Sequence, residues 1–112
     1  MFEEDEVKTT PFNKLVRDRI PEIIERAGKR ANVETLSDSE FLAAVDAKLQ
    51  EELDEYLASG DPTELADLLE TLYAASLARG VGLDELERIR LKKREERGGF
   101  VLKLFLKEVI SD

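Results

Sequence analysis

The chain contains no cysteine and no histidine. Without cysteine there are no disulfides, no thiolate nucleophile and no thiolate zinc site; the absence also fits a reducing compartment. Without histidine, any proton transfer falls to Asp, Glu, Lys, Tyr or water. Any metal must then be held by oxygen, which selects Mg²⁺, Mn²⁺ or Ca²⁺. Basic charge is scarce too: 17 Lys and Arg stand against 26 Asp and Glu, for a net charge of −9. That balance disfavours nonspecific binding to a nucleic-acid polymer or an anionic membrane, both of which require a basic face. It is compatible with cation binding. No apolar run approaches a membrane span, and the opening MFEEDEVKTT lacks the basic and apolar regions of a secretory signal. The expected setting is cytoplasmic and soluble. Repeats and low-complexity segments are also missing, and 112 residues make one ordinary domain with a small core.

Glycine and proline are few, but they punctuate the chain at regular places. Residues 1–11 are acidic and polar and read as a loose arm; residues 12–112 read as a single helical domain. Pro21 suits the first turn of a short helix, with Gly28 at its end. Ser37-Asp38-Ser39-Glu40 is a capping-box pattern that opens a long helix running to about Ser59, with Gly60 as its stop. Asp61-Pro62-Thr63-Glu64 is a second start, leading to a helix that ends near Arg79 before Gly80 and Gly82. A third stretch runs from Leu83 to Arg97 and is closed by Gly98-Gly99. The remaining FVLKLFLKEVI reads as either a short extended tail or a last helical turn. The expected fold class is all-α, an antiparallel helical hairpin with a tight turn.

At 100° per residue, Leu42, Val45, Leu49, Leu53 and Tyr56 form the apolar stripe of the first long helix, with Phe41 on its edge. Glu52 falls inside that stripe. Glu55 lies on its flank beside Lys48, Glu51 one step further out, and Asp54 points to solvent. A buried carboxylate is costly unless it is protonated or partnered. The next helix is apolar nearly all round: Leu65, Leu68, Leu69, Leu72, Tyr73 and Leu77 on one face, Ala74, Ala75 and Ala78 on much of the other. Such a helix is buried on more than one side, so the hairpin is expected to complete its bundle by homo-oligomerisation, most simply as a dimer. Glu64 and Asp67 share one flank of this helix. With a rise of about 1.5 Å per residue, Glu55 is expected level with Glu64–Asp67 and Glu52 about one turn deeper. Four carboxylates converging in this way repel one another unless a cation sits between them. An EExxE run by itself is more often a solvated helix face, and Glu64 could serve only as a capping partner for Asp61. The weight rests on Glu52 within an apolar stripe and Asp67 in a nearly uncharged helix, both at one hairpin.

This pattern resembles the all-α nucleoside triphosphate pyrophosphohydrolases, the superfamily of MazG, dimeric dUTPases and phosphoribosyl-ATP pyrophosphohydrolase. The signature of that superfamily is EExxE on one helix and ExxD on the next; here it reads Glu51-Glu52-Leu53-Asp54-Glu55 and Glu64-Leu65-Ala66-Asp67. The wider frame NKLVRDRIPEII, KLQEELDEYL, ELADLLETLYA and KKREERGGF is similar to the small, stand-alone, phosphoribosyl-ATP pyrophosphohydrolase-like branch, over about residues 12–100. Eight residues separate Glu55 from Glu64, fewer than in many superfamily members, so the hairpin turns sooner and the base-selecting pocket is expected to be trimmed.

The resemblance implies Mg²⁺-dependent hydrolysis, Mn²⁺ being a possible substitute, of a nucleotide between its α and β phosphates, giving a monophosphate and pyrophosphate. Carried over residue by residue, it makes Glu52, Glu55, Glu64 and Asp67 the metal ligands. Glu51 becomes the catalytic carboxylate, orienting the attacking water or supporting the ligands from behind. Candidate phosphate-binding cations are Lys48, which flanks the acids, Lys14 and Arg17 near the front with Arg19, and the stripe Arg90, Lys93, Arg94 and Arg97. That stripe reads equally well as a solvated face with pairs such as Glu87 to Arg90. The rival class is a helical dimerisation or regulatory module that keeps the fold and a structural Mg²⁺ or Ca²⁺ without catalysis.

Overall fold

A computed structural model describes residues 7–112. Part of the expected N-terminal arm, residues 1–6, lies outside the described residues; residues 7–11 are exposed and lack regular structure. The described residues form four helices and no strand: α1 (Ile20–Arg26), α2 (Asp38–Ser59), α3 (Pro62–Ala78) and α4 (Leu83–Arg97). The fold is all-α.

Local chemistry sets each boundary. At the start of α2 the Ser37 hydroxyl accepts from the Glu40 amide at 3.3 Å, and the Glu40 carboxylate accepts from the Ser37 amide at 3.1 Å. Two otherwise orphaned donors are thereby satisfied reciprocally. Ser37→Ala is expected to lower stability by about 1 kcal/mol and the melting midpoint by roughly 4–8 °C, read by circular dichroism at fixed protein concentration. At the other end of α2, Gly60 adopts φ 65°, a conformation a side chain disfavours. Asp61 then caps α3, its carboxylate accepting from the Thr63 amide at 2.8 Å and hydroxyl at 2.9 Å. The Glu64 amide donates to the Asp61 carbonyl at 3.0 Å, but its side chain takes no part in the cap and is left for other work.

The connection between α2 and α3 is only Gly60 and Asp61, so the two helices run antiparallel and pack against each other; α4 touches α3 over a short stretch. Val45 on α2 is fully buried, and Ala75 is the buried apolar residue of α3. Leu42, Leu49 and Tyr56 are half-buried around Val45, as the stripe requires, while Leu53 lies at the exposed margin. The other buried residues among those described are polar: Glu52, Thr71 and Ser76. Ser76 donates to the Val81 carbonyl at 2.8 Å and fixes the turn into α4. Thr71 donates to the Asp67 carbonyl at 2.9 Å.

Two apolar surfaces are left over. The face of α3 opposite α2 exposes Leu65, Leu69, Leu72, Tyr73 and Leu77. Beyond α4, residues 100–112 form neither helix nor strand, only a turn at Val101-Leu102. The choice left open by the sequence thus resolves toward a non-helical tail.

Candidate metal centre

α2 and α3 pack against each other, and Val45 on α2 and Ala75 on α3 are buried. One and two turns further along α2, toward the hairpin tip, come Lys48 and Glu52 on the same face. Glu52 is therefore driven into the interface by its neighbours' burial, and only 7% of it is exposed. One carboxylate oxygen, Oε1, lies 3.2 Å from the Lys48 ammonium. The other, Oε2, is buried and has no hydrogen-bond partner among the described residues. A bare buried carboxylate oxygen is unusual, because it forfeits solvation with nothing in return.

Glu64 and Asp67, half-buried on the first turns of α3, each bring an oxygen such that one atom from each of Glu52, Glu64 and Asp67 lies within 4.8 Å of the others. Burial pushes the Glu52 carboxyl above its ordinary range; Lys48 opposes this, and the charges of Glu55 and Asp67 reinforce it. A divalent cation placed among the three oxygens would partner the Glu52 carboxylate and offset the repulsion. The donor set is all carboxylate, which suits Mg²⁺ or Mn²⁺. The residues present fit such an ion, and the cluster is able to coordinate one.

The cationic side chains gather at the same place. Lys14 contacts Glu51 at 2.7 Å, and Lys48 reaches the other oxygen of Glu51 at 3.3 Å. Glu51 is held below the ordinary carboxylate range, first by the hydrogen bond from Lys14, and so stays ionised; Lys14 is correspondingly raised by that bond. Asn13, Lys14, Leu15, Ala44, Ala47, Lys48 and Glu51 line a shallow pocket of about 90 Å³. Arg17 pairs with Asp67 at 2.7 Å. The segment before α1 thus lies across the mouth of the hairpin and presents two cations to the acids. A second pocket, at the opposite end of the hairpin near Phe41 and Leu77, offers a single carboxylate, Asp38, and no comparable chemistry.

The remaining candidates lie elsewhere. Glu55 is exposed and stands outside the group of three, although its charge reaches both Glu52 and Lys14. The helix register expected Glu55 level with Glu64 and Asp67 and Glu52 about one turn deeper; the carboxylate that groups with Glu64 and Asp67 is that of Glu52. Arg90 is engaged by Glu87, Nε to Oε2 at 3.0 Å, as a solvated helix pair. Lys93, Arg94 and Arg97 are exposed on α4, and none of the four bonds to the acid cluster among the described residues. Sequence reasoning missed Thr71. Its only signal was a hydroxyl four residues after Asp67 in an otherwise apolar run; its bond to the Asp67 carbonyl braces the turn that presents that carboxylate.

Since Arg17 and a metal would compete for Asp67, Arg17→Ala is expected to tighten Mn²⁺ binding by up to about fivefold. That is the worth of an exposed ion pair, about 0.2–1 kcal/mol, and isothermal titration calorimetry reads it. An unchanged or weaker affinity would place the metal away from Asp67.

No family model matches the chain, and no solved structure matches it at a significant level. The chain is similar to an uncharacterized protein of Mycolicibacterium smegmatis, at 54% identity over 46 residues. The match covers 41% of this chain and 47% of that relative, so it spans about half the relative's length.

Proposed function

We propose that the protein is a Mg²⁺-dependent nucleotide pyrophosphohydrolase that cleaves between the α and β phosphates, releasing a nucleoside monophosphate, or phosphoribosyl-AMP, and pyrophosphate. The observation that carries the reading is the buried Glu52 carboxylate, one oxygen of it bare, grouped with the carboxylates of Glu64 and Asp67. In this reading Glu52, Glu64 and Asp67 hold the ion, with Glu55 at the exposed rim as a further ligand. Bound Mg²⁺ would offset phosphate charge and acidify water, so the missing histidine is no obstacle. Glu51, kept ionised by Lys14 and Lys48, is suited to accept a hydrogen bond from water and orient it. Lys14, Lys48 and Arg17 are placed to exchange a carboxylate for a phosphate oxygen when substrate arrives.

A small-molecule site usually offers about 300–1,000 Å³, whereas the pocket beside Glu51 holds about 90 Å³. One chain has little with which to enclose a nucleotide. This supports self-association, most simply as a dimer, with the second copy covering the exposed face of α3. A second reading also has an observation behind it. Lys14, Lys48 and Arg17 already partner Glu51, Glu52 and Asp67, as they would in a helical module whose cation is structural.

The discriminating experiment is a panel of canonical, deoxy and modified triphosphates plus phosphoribosyl-ATP, incubated with Mg²⁺ and scored for pyrophosphate against orthophosphate. Pyrophosphate from at least one compound is the expected result. None from any, with metal bound and the assembly intact, leaves the structural-module reading standing.

A further inference from the structure

Residues 13–28 are held to the rest of the molecule at one place. Their helix, α1, buries none of its residues and makes no close backbone approach to another helix. Asn13 and Gly28 bound the unit, both with positive φ, 46° and 84°. From there residues 29–36 run to α2 without regular structure, and eight extended residues reach up to about 26–29 Å. What ties the unit down is the strap before α1. Leu15 and Val16 are half-buried, and Leu15 borders the shallow pocket with Ala44 and Ala47. Among the described residues the strap makes two ion pairs to the hairpin, Lys14 with Glu51 and Arg17 with Asp67, each at 2.7 Å. Both anchor points belong to the metal centre. Asp67 is one of the three grouped acids, and Glu51 shares the Lys48 ammonium with Glu52.

We propose that this strap is a latch, closed by Arg17 on Asp67 and opened by a divalent cation bound among Glu52, Glu64 and Asp67. The Arg17 guanidinium supplies positive charge to Asp67 at the place where the ion would supply its own. An ion that takes Asp67 therefore removes the Arg17 anchor. The Lys14 anchor weakens in the same event. Lys14 is attracted by Glu52 and Glu55 as well as by Glu51, and a cation among the acids offsets that attraction. The half-buried Leu15 and Val16 are then the main contacts left, and the linker at 29–36 lets residues 13–28 swing away. An empty centre is thus covered and a loaded one open, so a ligand that needs the ion finds the mouth clear only when the ion is in place. The coupling is reciprocal: the ion weakens the latch by the same factor by which the latch weakens the ion. For one exposed ion pair that factor is up to about fivefold. The latch rests on the three carboxylates holding an ion and not on the reaction.

The absence of native cysteine makes strap position directly measurable. Nitroxides are attached at Asp18→Cys on the strap and Ala58→Cys near the end of α2, both exposed positions. Labelled chains are diluted into unlabelled ones, so that only distances within a chain register. Pulsed EPR distance distributions are recorded in EDTA and in saturating Mg²⁺, which is diamagnetic, with binding followed by calorimetry. In EDTA one short, narrow population is expected to dominate. Mg²⁺ is expected to add a longer, broader one, raising the ratio of open to closed strap by up to about fivefold. In an Arg17→Ala background the longer population should already be present in EDTA, and Mg²⁺ should change it little. Unchanged distances with Mg²⁺ bound overturn the latch and leave the metal centre standing. A shift of equal size in the Arg17→Ala background also overturns it, since Arg17 is then not what closes the strap. Absence of Mg²⁺ binding removes the latch and the metal centre together. None of these outcomes is read through pyrophosphate release, so the latch and the reaction fail separately.

Discussion

Glu52→Gln is expected to abolish pyrophosphate release, with turnover falling by at least about 10²–10³-fold, the scale of losing one preorganised electrostatic stabiliser. The substitution preserves shape and removes charge. Its effect on metal should be as large as its effect on rate, since Glu52 is the buried carboxylate of the three and its Oε2 has no partner among the described residues. Glu51→Gln is the control. Glu51 is held by Lys14 and Lys48 rather than grouped with the three carboxylates, so Mn²⁺ affinity should hardly move while rate falls about 10²–10⁴-fold. If instead Glu51→Gln loses metal and Glu52→Gln keeps it, the roles assigned to the two neighbours are reversed. Both variants are first checked for helix content and mass.

The second large effect is on stability. Mg²⁺ or Mn²⁺ at about a hundred times its dissociation constant should stabilise the native state by about 2.7 kcal/mol, which is roughly 10 °C in melting midpoint for a domain of this size; EDTA should reverse it. The sign with pH follows from Glu52. Burial raises its folded-state value above the ordinary 4.5, so the native state holds that proton more tightly than the unfolded chain does. Without metal, this group's contribution is most favourable at low pH and is lost as pH climbs from about 4.5 through the raised value. Glu51, lowered by Lys14, contributes in the opposite sense: its stabilisation is present above 4.5 and fades as pH falls through its depressed value. In EDTA, Glu52→Gln should therefore gain on wild type as pH rises from 4.5 toward neutrality, and saturating Mg²⁺ should invert that order. Equal melting of wild type with Mg²⁺ and with EDTA would remove the metal centre from consideration.

The helices were legible because their ends are written in short-range chemistry. Ser37 with Glu40, Gly60, and Asp61 with Pro62 act within a few residues, and each does in the structure what its spacing requires. Burial of Glu52 was legible for a related reason: helical periodicity alone places it among Val45, Leu49 and Tyr56. Which of Glu52 and Glu55 would group with Glu64 and Asp67 was not. That depends on how far the two helices slide past each other, which no local pattern records. The same holds for Lys14 and Arg17, whose reach to Glu51 and Asp67 spans 37 and 50 positions of sequence. Composition showed that the tail was apolar, but not that its own chain would leave it bare.

The two-residue turn between α2 and α3 has a consequence for kinetics. It brings Glu52 and Asp67 together across fifteen positions of sequence, so closing that loop costs little entropy, and contacts this local form early on the way to the native state. The repulsion among the three carboxylates is then already present at the folding barrier. A divalent ion that relieves it should act chiefly on the rate of folding and less on the rate of unfolding. In stopped-flow experiments, Mg²⁺ should lift the refolding arm of the chevron and leave the unfolding arm nearly in place.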